Sequence, residues 1–94
     1  MNETTSLLRI FGSKAQTRLL QYLLDHRGRV YNQAGLARLV DMSPSTIARI
    51  IISLVEEGLL HYEQISGQMK ILTLNENNEK TQALIELYEK LQKL

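Results

Sequence analysis

The sequence predicts an α+β fold that is mostly helical, and three observations carry that expectation. Two short amphipathic segments, 33–40 and 44–57, flank a break at Asp41-Met42-Ser43. An alternating run, Met69-Lys70-Ile71-Leu72-Thr73-Leu74, follows the small residues Ser66-Gly67-Gln68. From Glu79 onward, Leu84, Leu87, Leu91 and Leu94 recur at helical spacing.

Length and composition bound the answer. Ninety-four residues with 44% hydrophobic content suit one globular domain with a single core. The chain has no cysteine, which excludes disulfides, thiol nucleophiles and cysteine-ligated zinc. No apolar run approaches the roughly 20 residues of a membrane span, and no signal-peptide pattern opens the chain. The expected setting is the cytoplasm, at the nucleoid, with no membrane partner.

The first of the paired helices starts near Asn32 or Gln33 and presents Leu36, Leu39 and Val40, with Ala34 and Ala37 as small contacts. Gly35 inside it costs roughly 1 kcal/mol relative to Ala. Close helix packing or a backbone approach to DNA would each account for that glycine. Ser43 then stands where an N-cap belongs, and Pro44 falls at the first helical position, where its missing N–H costs nothing.

At 100° per residue, Ile47, Ile51 and Leu54 share a stripe flanked by Ile50 and Val55. Ser45, Thr46, Arg49 and Ser53 fall opposite. Gly58 supplies a left-handed stop, and Leu59 and Leu60 leave the helix as apolar residues. This is the pattern of a helix-turn-helix, whose second helix, 44–57, can enter the major groove. An ordinary helical hairpin needs the same caps; an exposed face of Ser, Thr and Arg rather than Glu and Lys favours double-stranded DNA. Ser43, Ser45, Thr46, Arg49 and Ser53 are the candidate contacts, with Arg49 able to bond guanine O6 and N7 together.

Residues 60–65, Leu-His-Tyr-Glu-Gln-Ile, carry Leu60, Tyr62 and Ile65 as apolar or aromatic positions. With 69–74 they form a β-hairpin over 60–74, the wing of a winged helix-turn-helix. Val30-Tyr31 has the length of a short third strand. Gln68 and Lys70 on the wing, and Arg38 before the turn, are candidates for phosphate or minor-groove contact without setting sequence preference. Residues 1–76 are thus the winged domain with an N-terminal extension, and 77–94 an added helix of the same domain.

Over about residues 9–75 the chain resembles small winged-helix transcription regulators of the MarR/ArsR-like kind, abundant in archaea and bacteria. The residues that carry the resemblance are Phe11-Gly12-Ser13-Lys14-Ala15 leading into Leu19-Leu20-Tyr22-Leu23-Leu24, then Leu36-Ala37-Arg38-Leu39, Ser43-Pro44-Ser45-Thr46-Ile47 and Leu54-Val55-Glu56-Glu57-Gly58-Leu59-Leu60. The resemblance implies a three-helix core, transcription regulation and a homodimer joined through terminal helices. Position 52 is Ile, and 64 and 68 are Gln, where such regulators often carry Lys or Arg. Glutamine can bond phosphate but releases no counterion, so affinity per protomer is expected to be modest.

The net charge of +1 conceals an asymmetry. Arg9, Lys14, Arg18, Arg27, Arg29, Arg38 and Arg49 face only Asp25 and Asp41 within residues 9–55. From Glu56 onward, four lysines meet seven glutamates. A basic helix-turn-helix half and an acidic C-terminal part fit a chain that faces phosphate with one end and protein with the other.

The final helix, capped by Asn77 or Asn78, places Leu84, Leu87, Leu91 and Leu94 on an a/d seam that Ile85 and Tyr88 widen. Leu84, Leu87, Tyr88, Leu91 and Leu94 are therefore expected at a homodimer interface, with intramolecular docking as the alternative. Two heptads are too short to pair alone. Leu7, Leu8, Ile10 and Phe11 are candidates for support from the partner's side.

Catalysis finds no foothold. His26 and His61 lack neighbours at metal-ligand spacing, Asp25 and Asp41 are isolated, and there is no phosphate-cradling glycine loop. No enzyme, metal or cofactor is expected, and a small-molecule effector is unassigned. Two other functions share the motifs: a plasmid or chromosome maintenance factor using the same winged helix, and a protein-assembly module docking through Ile52 and Val55.

Overall fold

The computed structural model describes residues 10–12, 14–67 and 69–94. Its elements are α1 (Ala15–Asp25), α2 (Gln33–Leu39), α3 (Pro44–Glu56), β1 (Leu60–Ser66), β2 (Met69–Leu74) and α4 (Glu79–Gln92). Each later helix starts on a side-chain cap that satisfies an orphan amide. Asn32 Oδ1 accepts from Gly35 N at 2.7 Å, Ser43 Oγ from Thr46 N at 3.2 Å, and Asn78 Oδ1 from Lys80 N at 2.8 Å.

Two helices end in the same way on different residues. After α3, Gly58 adopts φ +82°, Gly58 N donates to Val55 O at 3.0 Å and Leu59 N to Leu54 O at 2.9 Å. After α2, Asp41 takes that role at φ +55°, with Asp41 N on Arg38 O at 3.2 Å and Met42 N on Ala37 O at 2.9 Å. This paired bonding is the Schellman arrangement, and aspartate tolerates the left-handed region better than most residues. The turn of the helix-turn-helix is made there. Arg18 secures it from α1, donating to Val40 O at 2.6 Å and placing a cation at the negative end of α2.

Every element sends side chains to one core. Leu19, Leu23 and Leu24 come from α1, Leu36 and Ala37 from α2, and Ile47, Ile50, Ile51 and Leu54 from α3. Leu60, Leu72 and Leu74 close it from the hairpin. Leu39, expected on the inner face of α2, is instead 56% exposed. The buried face of α2 is centred between Leu36 and Ala37, and at about 100° per residue Leu39 falls beyond its edge.

β1 and β2 pair antiparallel, from Leu60 opposite Leu74 to Ser66 opposite Met69, with a bulge between Gln64 and Ser66. Ile65, at the bulge, is exposed like every residue of β1 after Leu60. The third strand shrinks to one bridge, Tyr31 N to Leu72 O at 3.0 Å and Leu72 N to Tyr31 O at 2.7 Å. It can be no longer on the far side, because Asn32 already caps α2.

α4 lies on its own chain and is fastened at both ends. Near its start, Lys80 Nζ reaches Glu57 Oε1 at 2.7 Å and Asn75 Nδ2 donates to Gly58 O at 3.2 Å. Farther along, Arg27 pairs with Glu89 at 3.1 Å, and the Tyr88 hydroxyl donates to Asp25. Tyr88 is only 6% exposed, and Leu84, Ile85 and Leu91 pack partly buried against the core. No helix among the described residues is long and apolar enough to cross a membrane.

Burial, and then the Asp25 hydrogen bond, push the Tyr88 phenol well above its ordinary pKa. A folded-state pKa raised above the unfolded value of about 10 means the stabilisation is complete below pH 10 and is lost as pH rises beyond it. Denaturation midpoints measured from pH 8 to 11 should fall above pH 10, and Tyr88→Phe should flatten that fall. A remainder is expected from Tyr31, whose pKa burial also raises. An unchanged slope in Tyr88→Phe refutes the assignment.

Candidate nucleic-acid interface

The exposed stripe of α3 runs through Ser45, Arg49, Ile52 and Glu56, residues spaced by four, three and four along the helix. Arg49 is exposed on this stripe and pairs with no carboxylate among the described residues. Its position follows from the buried stripe behind it, since Ile47, Ile51 and Leu54 fix the helix's rotation.

The hydroxyls near the start of α3 are partly engaged within the helix. Ser43 Oγ, besides capping Thr46 N, donates to Thr46 Oγ1 at 2.9 Å and lies 3.4 Å from Ser45 Oγ. Ser43 and Thr46 thus hold the helix start, while Ser45 is exposed and Ser53 is half-buried.

Arg38 and Lys70 come together with Pro44 and Ile47 around a groove of about 870 Å³ between the helix-turn-helix and the hairpin. Asn32, Gln33 and Tyr62 also line it, and sequence reasoning did not single these out for the site. The only signal for them is position: a helix N-terminus beside a wing presents amides and a cap to an anion. Lys70 Nζ sits 6.0 Å from the Tyr62 ring centroid, at the outer reach of a cation–π contact, which steadies the ammonium while leaving it exposed. Gln68 lies outside the described residues.

The basic half is less available than its charge count suggests. Arg18 is tied to Val40 O and Arg27 to Glu89, so Lys14, Arg29, Arg38 and Arg49 remain as its outward cations among the described residues. Beyond α3 the acid Glu57 is held by Lys80, whose hydrogen bond and charge lower its pKa. His61 Nε2 lies 3.7 Å from Glu63 Oε1 on the exposed outer face of β1. Among the described residues no cluster of three His, Cys, Asp or Glu side chains could hold a metal ion.

Gly35 stands beside the cap of its own helix: a Cβ there would sit 3.0 Å from Asn32 Oδ1, the atom that caps α2 through Gly35 N.

A family model for the IclR helix-turn-helix domain matches residues 16–64, from α1 into the hairpin. Among solved structures, reduced HlyU from Vibrio cholerae is similar at 24% identity and a TM-score of 0.63, over 90% of this chain and 83% of that one. MepR of S. aureus in a complex with DNA is similar at 17% identity and a TM-score of 0.65, over 92% of this chain and 69% of MepR. A MarR-family transcriptional regulator from Rhodococcus aligns at 20% identity and a TM-score of 0.62, over 92% of this chain and 59% of its own. At such identities the likeness is one of fold. A search of curated protein sequences finds no significant match. The chain belongs to the IclR helix-turn-helix domain family, and its winged fold is that of DNA-binding transcription regulators rather than of an enzyme.

Proposed function

We propose that the chain regulates transcription by binding specific sites in double-stranded DNA as a homodimer, with α3 in the major groove and the β1–β2 hairpin on the backbone or in the minor groove. The observation that carries this reading is the exposed stripe of α3 through Ser45 and Arg49; Arg38 and Lys70, on the walls of the groove beside the hairpin, add two further cations. A guanidinium with no carboxylate partner among the described residues is available for a base edge, and the cations of the groove are available for phosphate. The DNA complex of MepR, which shares the fold, supports DNA as the partner. Such a role places the chain at the nucleoid.

Salt titration of binding to random duplex DNA tests the reading. Affinity should fall on a log–log plot with a slope reflecting several released counterions, and absence of binding at low salt refutes it. Lys70→Ala should weaken binding to all duplexes about equally and reduce that slope by about one unit. A change confined to one base position would contradict a backbone role for Lys70.

The few outward cations make a second copy important, since two half-sites about 34 Å apart double the phosphate contacts. Tyr88 faces its own core and Leu84 and Leu91 are partly buried, so the seam we propose runs over Leu87 and Leu94, exposed on the outer side of the C-terminal segment. Ile10 and Phe11, both exposed, are its support from the N-terminal side, while Leu7 and Leu8 lie outside the described residues. Leu87 is 41% exposed in the single chain, so burying the rest across a two-fold axis contributes about 1 kcal/mol per protomer. Leu87→Ala should weaken the dimer by at least tenfold in sedimentation equilibrium with the circular dichroism spectrum unchanged. An unaltered dimer constant puts the interface elsewhere.

A further inference from the structure

Ile52 is the feature of the DNA-facing surface that a phosphate-and-guanine description leaves unexplained. It is 60% exposed on α3, whereas Val55, the other apolar residue on the flank of that helix, packs against the core. Its neighbours along the outward stripe are Arg49 on one side and Glu56 on the other. A single branched side chain between two charged ones makes no apolar patch of the size that protein docking uses. It is continuous instead with the surface assigned above to the major groove.

We infer that Ile52 is a specificity-determining residue that reads the 5-methyl group of a thymine, one base step from the guanine contacted by Arg49. This rests on the DNA-binding reading above. Three residues of helix advance about 4.5 Å along its axis, close to one base-pair rise of about 3.4 Å. Two side chains three apart are also neighbours on a helix surface. The thymine methyl is the one apolar group that a base pair exposes in the major groove, and an aliphatic side chain is its complement. Glu56, one turn further, has the wrong sign for phosphate, so the helix leaves the groove after Ile52. A basic residue at position 52 would add affinity for any duplex through phosphate; isoleucine adds none of that and gives base preference instead.

The test compares thymine with deoxyuridine, which pairs identically and lacks only the methyl. A preferred duplex is first selected from a random library with the full chain, and each thymine in its half-sites is replaced in turn. For the unmodified chain, one thymine per half-site should lose about fourfold in affinity on losing its methyl, the worth of one buried methyl group. That thymine should lie next to the guanine whose replacement Arg49→Ala ignores. Ile52→Ser, exposed and so expected to fold normally, should bind thymine and uracil duplexes alike with an unchanged salt slope. Specific binding that is indifferent to every thymine methyl, or an equal loss in Ile52→Ser, overturns the inference and leaves the DNA reading intact. No binding to any duplex by either chain overturns both.

Discussion

Gly58→Ala is expected to destabilise the fold by about 2–3 kcal/mol, a fall of about 10–20 °C in Tm for a domain of this size. Two effects add. Gly58 has φ +82°, where a Cβ costs about 1–2 kcal/mol. The new Cβ would also lie 2.4 Å from Asn78 Nδ2. That amide cannot swing away freely, because Asn78 Oδ1 caps α4 through Lys80 N at 2.8 Å, and loss of such a cap costs about 1 kcal/mol. Gly28 provides the control: its φ is +86°, yet a Cβ there meets nothing within 4 Å. Gly28→Ala should therefore cost only the backbone part. Urea denaturation of both variants, with Asn78→Ala as the third corner of a cycle, measures the difference. Equal losses at Gly28 and Gly58 would show that the Asn78 contact has no energetic role.

Arg49→Ala is expected to remove about 1–3 kcal/mol of specific DNA binding, roughly a fivefold to 150-fold loss, and to relax preference at one base pair per half-site. Its stability should change by less than about 0.5 kcal/mol, since the side chain is exposed and without a carboxylate partner among the described residues. Arg49→Lys should restore non-specific affinity but little of the preference, because an ammonium lacks the planar fork that bonds O6 and N7 together. Binding isotherms on the selected duplex and on single-base variants read both quantities. Equal losses on every duplex would move Arg49 from base reading to backbone contact, and no loss at all would contradict the assignment of α3 to the groove.

Local features were legible because their causes lie within a few residues. Asn32, Ser43 and Asn78 cap amides two or three positions away, and Gly58 ends a helix through bonds to the residues just before it. Leu39 shows where periodicity stops being enough: on a helix of only 7 residues, a shift of the buried centre by part of a turn moves one leucine to the surface. Gly35 was legible as an exception, but the close approach of Asn32 Oδ1 to its Cβ position was not.

For the candidate site, the rotation of α3 could be read from Ile47, Ile51 and Leu54, which is why Arg49 was picked out as outward. Tyr62, Gln33 and Asn32 were not, since the groove they line exists only after the hairpin folds back beside α2. The charge of the basic half was overread for the same reason: Arg18 and Arg27 count with Arg38 and Arg49 in that half but are tied to Val40 O and Glu89 by the fold.

The sequence by itself determined the order of elements, their caps and stops, and the winged helix-turn-helix they build, because hydrogen bonding and amphipathic spacing act over one or two turns. Only the tertiary structure decided which body α4 lies against. A leucine-rich stripe states that a helix must cover apolar surface, and says nothing about whose surface it covers. Tyr88, reaching Asp25 at the end of α1, gives its inner face to the same chain and leaves Leu87 facing outward.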